Sequence, residues 1–311
     1  MLVERRYRVL DIIYQSSILI SIIVLGYVVK NIGMFSKIED FDTLTNVILY
    51  ITLPSAIITN LNGLEFPPIL LVISIFGFLC NWLYLFISKR VGDDKDEQSF
   101  MMLSINGYNI GNFALPFIAF FLEGIPILAI SLFDAGSSIM VLGGNYAIAK
   151  GTKKGSSRFD IPDLLRAVVK SPTVVVYILM VILSLLTIEL PAVVMDIIQI
   201  PANANTFLAM FFIGIALEFN FELENMKKML KYILARYLPA FGLVTIILLT
   251  SFIPTEIQYA LALLLVAPVS GTAPIFTGRL DNNVEMSAQI NSFSIIISIL
   301  LMSVFLVYLG V

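Results

Sequence analysis

The sequence has no histidine and a single cysteine, Cys80, among its 311 residues. Without histidine the chain lacks the side chain that most often carries protons near neutral pH, and it cannot build the usual cysteine and histidine zinc sites. It also lacks a phosphate-binding glycine loop and a paired aspartate cluster for a metal and a diphosphate. We therefore predict that the protein is not an enzyme and carries no cofactor.

Charged residues are scarce as well. Asp, Glu, Lys and Arg make up 13% of the chain and apolar residues 59%, whereas ordinary soluble domains carry about 25% charged residues. The mean hydropathy of +0.95 agrees, and we predict that most of the chain faces a lipid bilayer. The net charge of −3 and the absence of a broad basic face argue against a nucleic-acid partner.

Long uncharged runs predict where the chain crosses the membrane. A helix needs about 20 apolar residues to span a bilayer, and the runs here are continuous, without the alternation of β-barrel strands. We predict an all-α polytopic membrane protein with ten transmembrane helices. The predicted spans one to ten are residues 12–29, 43–64, 66–88, 98–122, 124–149, 171–188, 197–217, 237–255, 257–278 and 286–311.

Basic residues concentrate in alternate connections. Apart from Arg5, Arg6 and Arg8, every Lys and Arg is assigned to a connection after an odd-numbered span, including Arg236 just before span eight. Positive connections are retained in the cytoplasm. We therefore predict a cell-membrane protein with both termini outside the cytoplasm. A stretch too short to span, residues 190–201, is predicted to lie along the outer interface as an amphipathic segment.

A segment rich in Gly, Ser and Lys divides the spans into two sets of five. We predict a first five-helix repeat in residues 1–149, a cytoplasmic linker in residues 150–170 and a second repeat in residues 171–311. Because each half has an odd number of spans, the second repeat would be inverted relative to the first. Inverted repeats are the plan of many secondary transporters.

The fourth span of each half carries a matching set of helix-breaking residues. Proline removes a helical hydrogen bond and glycine loosens the backbone, so spans four and nine are predicted to break near their middle as crossover helices. Paired broken helices are the best sequence indication of a transport site. The residues are Gly107, Gly111 and Pro116 in span four, and Pro268, Gly271 and Pro274 in span nine.

An organic anion is the ligand that these breaks favour. Half-helices starting at Pro116 and at Pro274 would present positive amino ends to it. Since no Lys or Arg is predicted within a span, helix dipoles and neutral donors would have to hold the anion. Asn106 is one candidate donor. The predicted substrate-binding residues are Asn109, Gly111, Asn112, Pro116, Pro268, Ser270, Gly271, Thr272 and Pro274.

Asp134 is predicted to lie at the middle of the membrane in span five. A carboxylate there is costly unless it is paired or protonated, and it often marks an ion or proton pathway. We predict that Asp134 couples transport to H⁺ or Na⁺, with Gln289 of span ten as a second candidate. The alternatives are a structural carboxyl bonded to a neighbouring helix for Asp134, and helix packing for Gln289.

Three segments resemble the auxin efflux carrier family, which includes plant PIN proteins and bacterial malate and malonate carriers. They are LGYVVKNIGMFSKIEDFDTLTNVILYITLPSAI (25–57), NIGNFALP (109–116) and APVSGTAPIFTGRLDNN (267–283). The resemblance covers nearly the whole chain. It implies ten helices in two inverted repeats, with a scaffold of spans one, two, six and seven and a transport domain from the rest. It also implies a homodimer through spans two and seven, and an anion bound near Asn109.

The sequence thus favours a secondary transporter of a small organic anion that works by alternating access. The short central segment and Asn112 differ from the plant pattern, which favours a small organic acid over auxin. One alternative is a sodium/proton antiporter with related broken helices, since Asp134 suits a cation. The other is a membrane receptor that senses a ligand at the same breaks without transporting it.

Overall fold

The computed structural model describes residues 2–35, 38–64, 71–154, 171–218 and 226–309, and all of the regular structure in these ranges is helical. This agrees with the predicted all-α membrane class. The helices are α1 Leu2–Asn31, α2 Ile38–Val47, α3 Leu53–Leu61, α4 Leu71–Val91, α5 Lys95–Ser104, α6 Leu115–Ile118, α7 Ile125–Ile139, α8 Asn145–Lys154, α9 Pro172–Leu185, α10 Ala192–Ala216, α11 Met226–Leu249, α12 Thr255–Leu265, α13 Ala273–Arg279 and α14 Val284–Leu309.

Within the described ranges, three π-helical turns extend this set. Ile48–Thr52 joins α2 to α3, Ile110–Ala114 precedes α6, and Met140–Gly144 joins α7 to α8. A π-helical turn holds an extra residue, and such turns are frequent at functional sites. The second of these turns follows directly after a non-helical stretch between α5 and α6.

Seven helical segments in the described ranges are long and apolar enough to cross a membrane. The helices α9 and α12 are apolar but shorter, and α5 and α6 are separated by a non-helical stretch. The seven segments are Leu10–Asn31, Phe41–Leu61, Leu71–Val91, Ile125–Lys154, Ala192–Ala216, Met226–Leu249 and Val284–Leu309.

The prediction of a separate interfacial segment at residues 190–201 is wrong. Helix α10 begins at Ala192 and runs without interruption through Pro201 to Ala216. Pro191 precedes the helix, but Pro201 lies inside it, where neighbouring helices of a membrane protein can satisfy the backbone groups that a proline frees. The sequence prediction considered this stretch by itself and found it too short to span, whereas the helix that contains most of it has 25 residues.

The helices pack in two groups. In group one, α1 packs along α10, and α3 packs against α9 and α10. In group two, α4 packs along α7, α5 against α8 and α13, and α12 and α14 against α11. Group one therefore contains the helices of predicted spans one, two, six and seven, and group two contains most of the remainder.

Glycines allow the closest crossings within each group. A Cβ added at Gly214 would overlap the carbonyl of Ile23, which brings α10 against α1. A Cβ added at Gly136 would overlap the carbonyl of Ser74, which brings α7 against α4. Small residues let helix backbones approach closely in membranes, where dispersion contacts drive packing.

Replacing Gly136 with valine should therefore destabilise group two. Overpacking of a filled interior costs about 1–3 kcal/mol, and here the clash is with main chain, which cannot rotate away. We expect a clear fall in melting temperature by fluorescence-detected size exclusion. The matched control is Gly242→Val in α11, since a Cβ at Gly242 has no neighbour within 4 Å. An equal effect of both variants would contradict the close crossing.

Polar contacts gather the connections after spans three, five, seven and nine at one end of the protein, which we call the charged end. The ammonium Nζ of Lys153 donates to the carbonyl of Leu280 at 2.7 Å, and Lys231 Nζ lies 3.1 Å from Glu97 Oε1. Burial alone would raise the pKa of the Glu97 carboxyl. Hydrogen bonds from the Asp93 amide, Tyr232 and Lys231 together outweigh this effect, so its pKa lies below the ordinary value.

A separate set of contacts gathers the connections after spans two and six. The amide of Leu190 donates to Asn62 Oδ1 at 2.9 Å, and the Ser184 hydroxyl donates to the carbonyl of Leu64. These contacts bring the connections after spans two and six together, as those of the charged end bring together the connections after spans three, five, seven and nine.

Candidate ligand site at two helix breaks

The first break, residues 105–109, separates α5 from the π-helical turn that leads into α6. Gly107 has a φ of +74°, a left-handed conformation that favours glycine. A Cβ at this position would lie 2.9 Å from Val141 Cγ2 and 3.1 Å from Ser270 Cβ. Gly107 is therefore needed both for the local backbone and for close approach to Ser270.

The half-helix after the first break starts earlier than predicted. It begins at Ile110, with Asn109 as the preceding cap residue, and Pro116 lies in the first turn of α6 beyond the π-helical turn. The rule that proline suits the first turn of an α-helix holds for α6. The prediction that the half-helix starts at Pro116 is wrong because a π-helical turn, which has no clear sequence signature, comes first.

The second break, residues 266–272, separates α12 from α13. Pro274 lies in the first turn of α13, where the sequence placed it. The hydroxyls of Ser270 and Thr272 are 2.8 Å apart, and Asn291 Nδ2 donates to the carbonyl of Ser270 at 3.2 Å. The side chain of Asn291 in α14 therefore holds this break in place.

The two breaks contact each other directly. The amide of Asn109 donates to the carbonyl of Pro268 at 3.0 Å. A Cβ at Gly271 would lie 3.5 Å from Asn109 Nδ2, so the Asn109 side chain reaches across to the second break. Of the predicted site residues, the structure brings Asn109, Pro268 and Gly271 together, with Ser270 against Gly107.

Two other predicted residues lie just beyond the first break, in the π-helical turn. A Cβ at Gly111 would lie 2.8 Å from Leu53 Cδ2, so this turn touches group one. The side-chain oxygen of Asn112 is buried without a hydrogen-bond partner among the described residues. A buried polar atom of this kind usually has a partner.

A buried asparagine network anchors the first break to its neighbours. Asn106 Nδ2 donates to the Asn81 carbonyl at 3.1 Å and to Asn145 Oδ1 at 3.0 Å. Asn145 Nδ2 completes the triangle with a 3.2 Å bond to Asn81 Oδ1. Asn106 therefore has a structural role rather than a ligand-facing one. Sequence reasoning missed Asn81 and Asn145, although each is an isolated amide in a long apolar run.

Arg236 contradicts the prediction that no Lys or Arg lies within a membrane helix. Helix α11 starts at Met226, so Arg236 is well inside it, and its side chain is 0% exposed. Its Nη2 atom donates to the carbonyl of Ala267 at 3.0 Å, and Nη1 donates to the carbonyl of Ile105 at 3.4 Å. The prediction kept every Lys and Arg outside the spans, but aromatic and carbonyl partners let this arginine lie inside one.

Asp134 forms a hydrogen bond between the two groups. Its Oδ2 accepts from the Tyr177 hydroxyl at 2.9 Å, and its Oδ1 accepts from Ser138 at 3.2 Å. Tyr177 lies in α9 of group one, whereas Asp134 lies in α7 of group two. The other ion-coupling candidate, Gln289, donates at 3.5 Å to Glu285 on its own helix.

Phe133, the residue before Asp134, contacts the first break. The rings of Phe133 and Tyr108 are in edge-to-face contact, with centroids 5.3 Å apart. Among the described residues, no group of three or more Cys, Asp or Glu side chains is placed to hold a metal ion.

Comparison with protein-family models gives no match for this chain, and a search of curated proteins gives none either. The resemblance to auxin efflux carriers therefore stays a hypothesis that rests on the three quoted segments.

Proposed function

We propose that the protein is a secondary transporter that moves a small organic anion across a cell membrane by alternating access, with the ligand bound between the two breaks. The observation that carries this proposal is the bond from the Asn109 amide to the Pro268 carbonyl, which joins two interrupted helices. In an apolar helical protein, non-helical backbone is tolerated only where it is buried or lines a cavity. Secondary transporters bind substrates at such places.

The chemistry at the breaks supports an anionic ligand. Asn109, Ser270 and Thr272 offer amide and hydroxyl donors, which can bond a carboxylate. The guanidinium of Arg236 adds a positive charge behind both breaks but is 0% exposed. The ligand would therefore meet neutral donors first, which suits a substrate that must also be released.

We further propose ten membrane crossings. The seven long helices would be joined by three more segments: α5 with α6, α9, and α12 with α13. This arrangement gives two five-span halves, and the charged end would face the cytoplasm by the positive-inside rule. The homodimer through spans two and seven is part of the proposal, and it rests on the resemblance alone.

Topology can be tested by labelling single cysteines in a Cys80→Ala background. A cysteine at Ser156, which lies outside the described residues, should react only with reagent applied from the cytoplasmic side. A cysteine at Leu309 should react only from the outer side. Reaction of both from the same side would refute the ten-span arrangement.

Asn109→Ala should weaken ligand binding. Loss of a buried hydrogen-bonding partner costs about 1–3 kcal/mol, so the dissociation constant should rise by roughly one to two orders of magnitude. Asn203→Ala in α10 is a suitable control, because its side chain bonds to Gln199 on an exposed helix surface. Unchanged affinity in Asn109→Ala would place the ligand elsewhere.

The function itself is tested by flux into proteoliposomes. Purified protein is reconstituted, and uptake and current are measured for a panel of mono- and dicarboxylates, with and without proton and sodium gradients. Saturable carboxylate uptake is expected. Binding of a carboxylate without flux would instead favour the receptor.

The buried carboxylate of Asp134 favours one competing function, a sodium/proton antiporter. Sodium-driven proton movement without flux of any carboxylate in the same liposomes would establish that function instead.

A further inference from the structure

Arg236 contacts both breaks at once. One nitrogen of its guanidinium donates to the carbonyl of Ile105 in the first break, and the other donates to Ala267 in the second. Its flat guanidinium also lies over two aromatic rings, 4.6 Å from the Tyr84 centroid and 4.2 Å from the Tyr108 centroid. A single side chain from α11 thus joins the two breaks and a ring of α4.

The electrostatics of these contacts are unusual for a buried cation. Among the residues that the structure describes, the hydrogen bonds and ring contacts of Arg236 involve no carboxylate. Its partners are instead the carbonyls just after the last turns of α5 and α12. The carboxyl end of a helix carries partial negative charge, so the guanidinium offsets the charge of two helix ends at the point where both chains leave the helix.

We propose that Arg236 is the positioning residue of the ligand site. By bonding one carbonyl from each break it holds the breaks in contact, and its buried charge makes the space between them favourable for an anion. The contact between the breaks does not depend on any ligand. The effect of the buried charge on an anion rests on the proposed transport function.

Arginine has properties here that lysine cannot replace. Its planar group can donate in two directions from a fixed fork and stack on aromatic faces at the same time. An ammonium group would keep the charge but could not reach two carbonyls while also lying flat over the Tyr84 and Tyr108 rings. The Arg236→Lys variant therefore separates the bridging geometry from the charge.

The geometry can be measured by crosslinking, without any transport. In a Cys80→Ala background, cysteines replace Asn109 and Gly271, since a Cβ at Gly271 would lie 3.9 Å from Asn109 Cγ. The backbone at Gly271 is not left-handed, so a cysteine fits there. With Arg236 present, mild oxidant should close this disulfide quickly in the folded protein, as read by mass spectrometry.

Arg236→Lys should slow disulfide closure by about tenfold or more, because the ammonium group cannot donate to both carbonyls at once and one bond between the breaks is lost. The control is Lys231→Met on the same helix, which removes a cation at the charged end and should leave the rate unchanged. If Arg236→Lys does not fold, Tyr84→Leu removes one stacking face, while Tyr84→Phe retains it. Unchanged rates in Arg236→Lys, or in Tyr84→Leu where it is used instead, would overturn the proposal.

The charge is measured by uptake of radiolabelled malonate as the probe. Arg236→Gln should raise the KM for malonate by about tenfold or more, and Arg236→Lys should raise it less. Equal KM values in the two variants would show that the charge of Arg236 does not contribute to binding of the anion. If the wild type moves no carboxylate, the proposed function fails, while crosslinking still decides whether Arg236 positions the breaks.

Discussion

Replacing Gly107 with alanine should abolish transport. The backbone there has a φ of +74°, and a Cβ would lie 2.9 Å from Val141 Cγ2 and 3.1 Å from Ser270 Cβ. The left-handed conformation alone costs a non-glycine residue about 1–2 kcal/mol. The steric contact adds to this strain and pushes the first break away from the second, so the ligand site should be lost even where the protein still folds.

Two other glycines serve as controls that separate the effect of backbone strain from the effect of the steric contact. Gly33 and Gly124 also have positive φ values, of 85° and 69°, but a Cβ at either one would meet nothing within 4 Å. Gly33→Ala and Gly124→Ala should therefore lose some stability and retain uptake. Carboxylate uptake and melting temperature are measured for all three variants. Retained uptake in Gly107→Ala would show that close contact between the breaks is not needed.

The general character of the protein could be predicted from its sequence because it depends on composition and run length. A bilayer demands long apolar helices, and that demand is visible in any uncharged run of sufficient length. The interruptions near Gly107 and Pro268 could also be predicted, since glycine and proline act on their own backbone. Both effects are local.

The parts that sequence reasoning missed depend on partners distant in the chain. Arg236 was assigned to a connection because its favourable surroundings, the carbonyls of Ile105 and Ala267, come from other segments. The same holds for the amides of Asn81 and Asn145, which become meaningful only when they meet Asn106. Burying a charge or an amide in an apolar run costs free energy, and the sequence of that run does not show which partners offset the cost.

Helix boundaries were missed for a related reason. Pro116 was taken as the start of a half-helix, but a π-helical turn precedes it. The stretch that ends at Pro201 was taken as too short to span, but it belongs to one continuous helix. In a membrane protein the freed backbone groups can be satisfied by neighbouring helices. Whether a proline ends a helix therefore depends on tertiary contacts.

The hydrogen bond between Tyr177 and Asp134 should slow the relative movement of the two groups. If alternating access moves group two against group one, this 2.9 Å bond must break in each cycle. Tyr177→Phe removes the hydroxyl and should therefore raise the rate of substrate exchange. Tyr237→Phe is the matched control, since its buried hydroxyl donates to the carbonyl of Ser294 at 2.8 Å within group two. Equal effects of the two variants would argue against such a movement.

Asp134→Asn should abolish uptake driven by a pH gradient and still permit exchange of substrate down its own gradient. The amide has the size of the carboxyl and can still accept from Tyr177, so the contact between the groups persists while the exchangeable proton is lost. The variant therefore mimics a permanently protonated carboxyl. If Asp134 had only a structural role, proton-driven uptake and exchange would fall together or hardly change. Counterflow and proton-driven uptake measured side by side separate these outcomes, and full proton-driven uptake by Asp134→Asn would refute coupling through this residue.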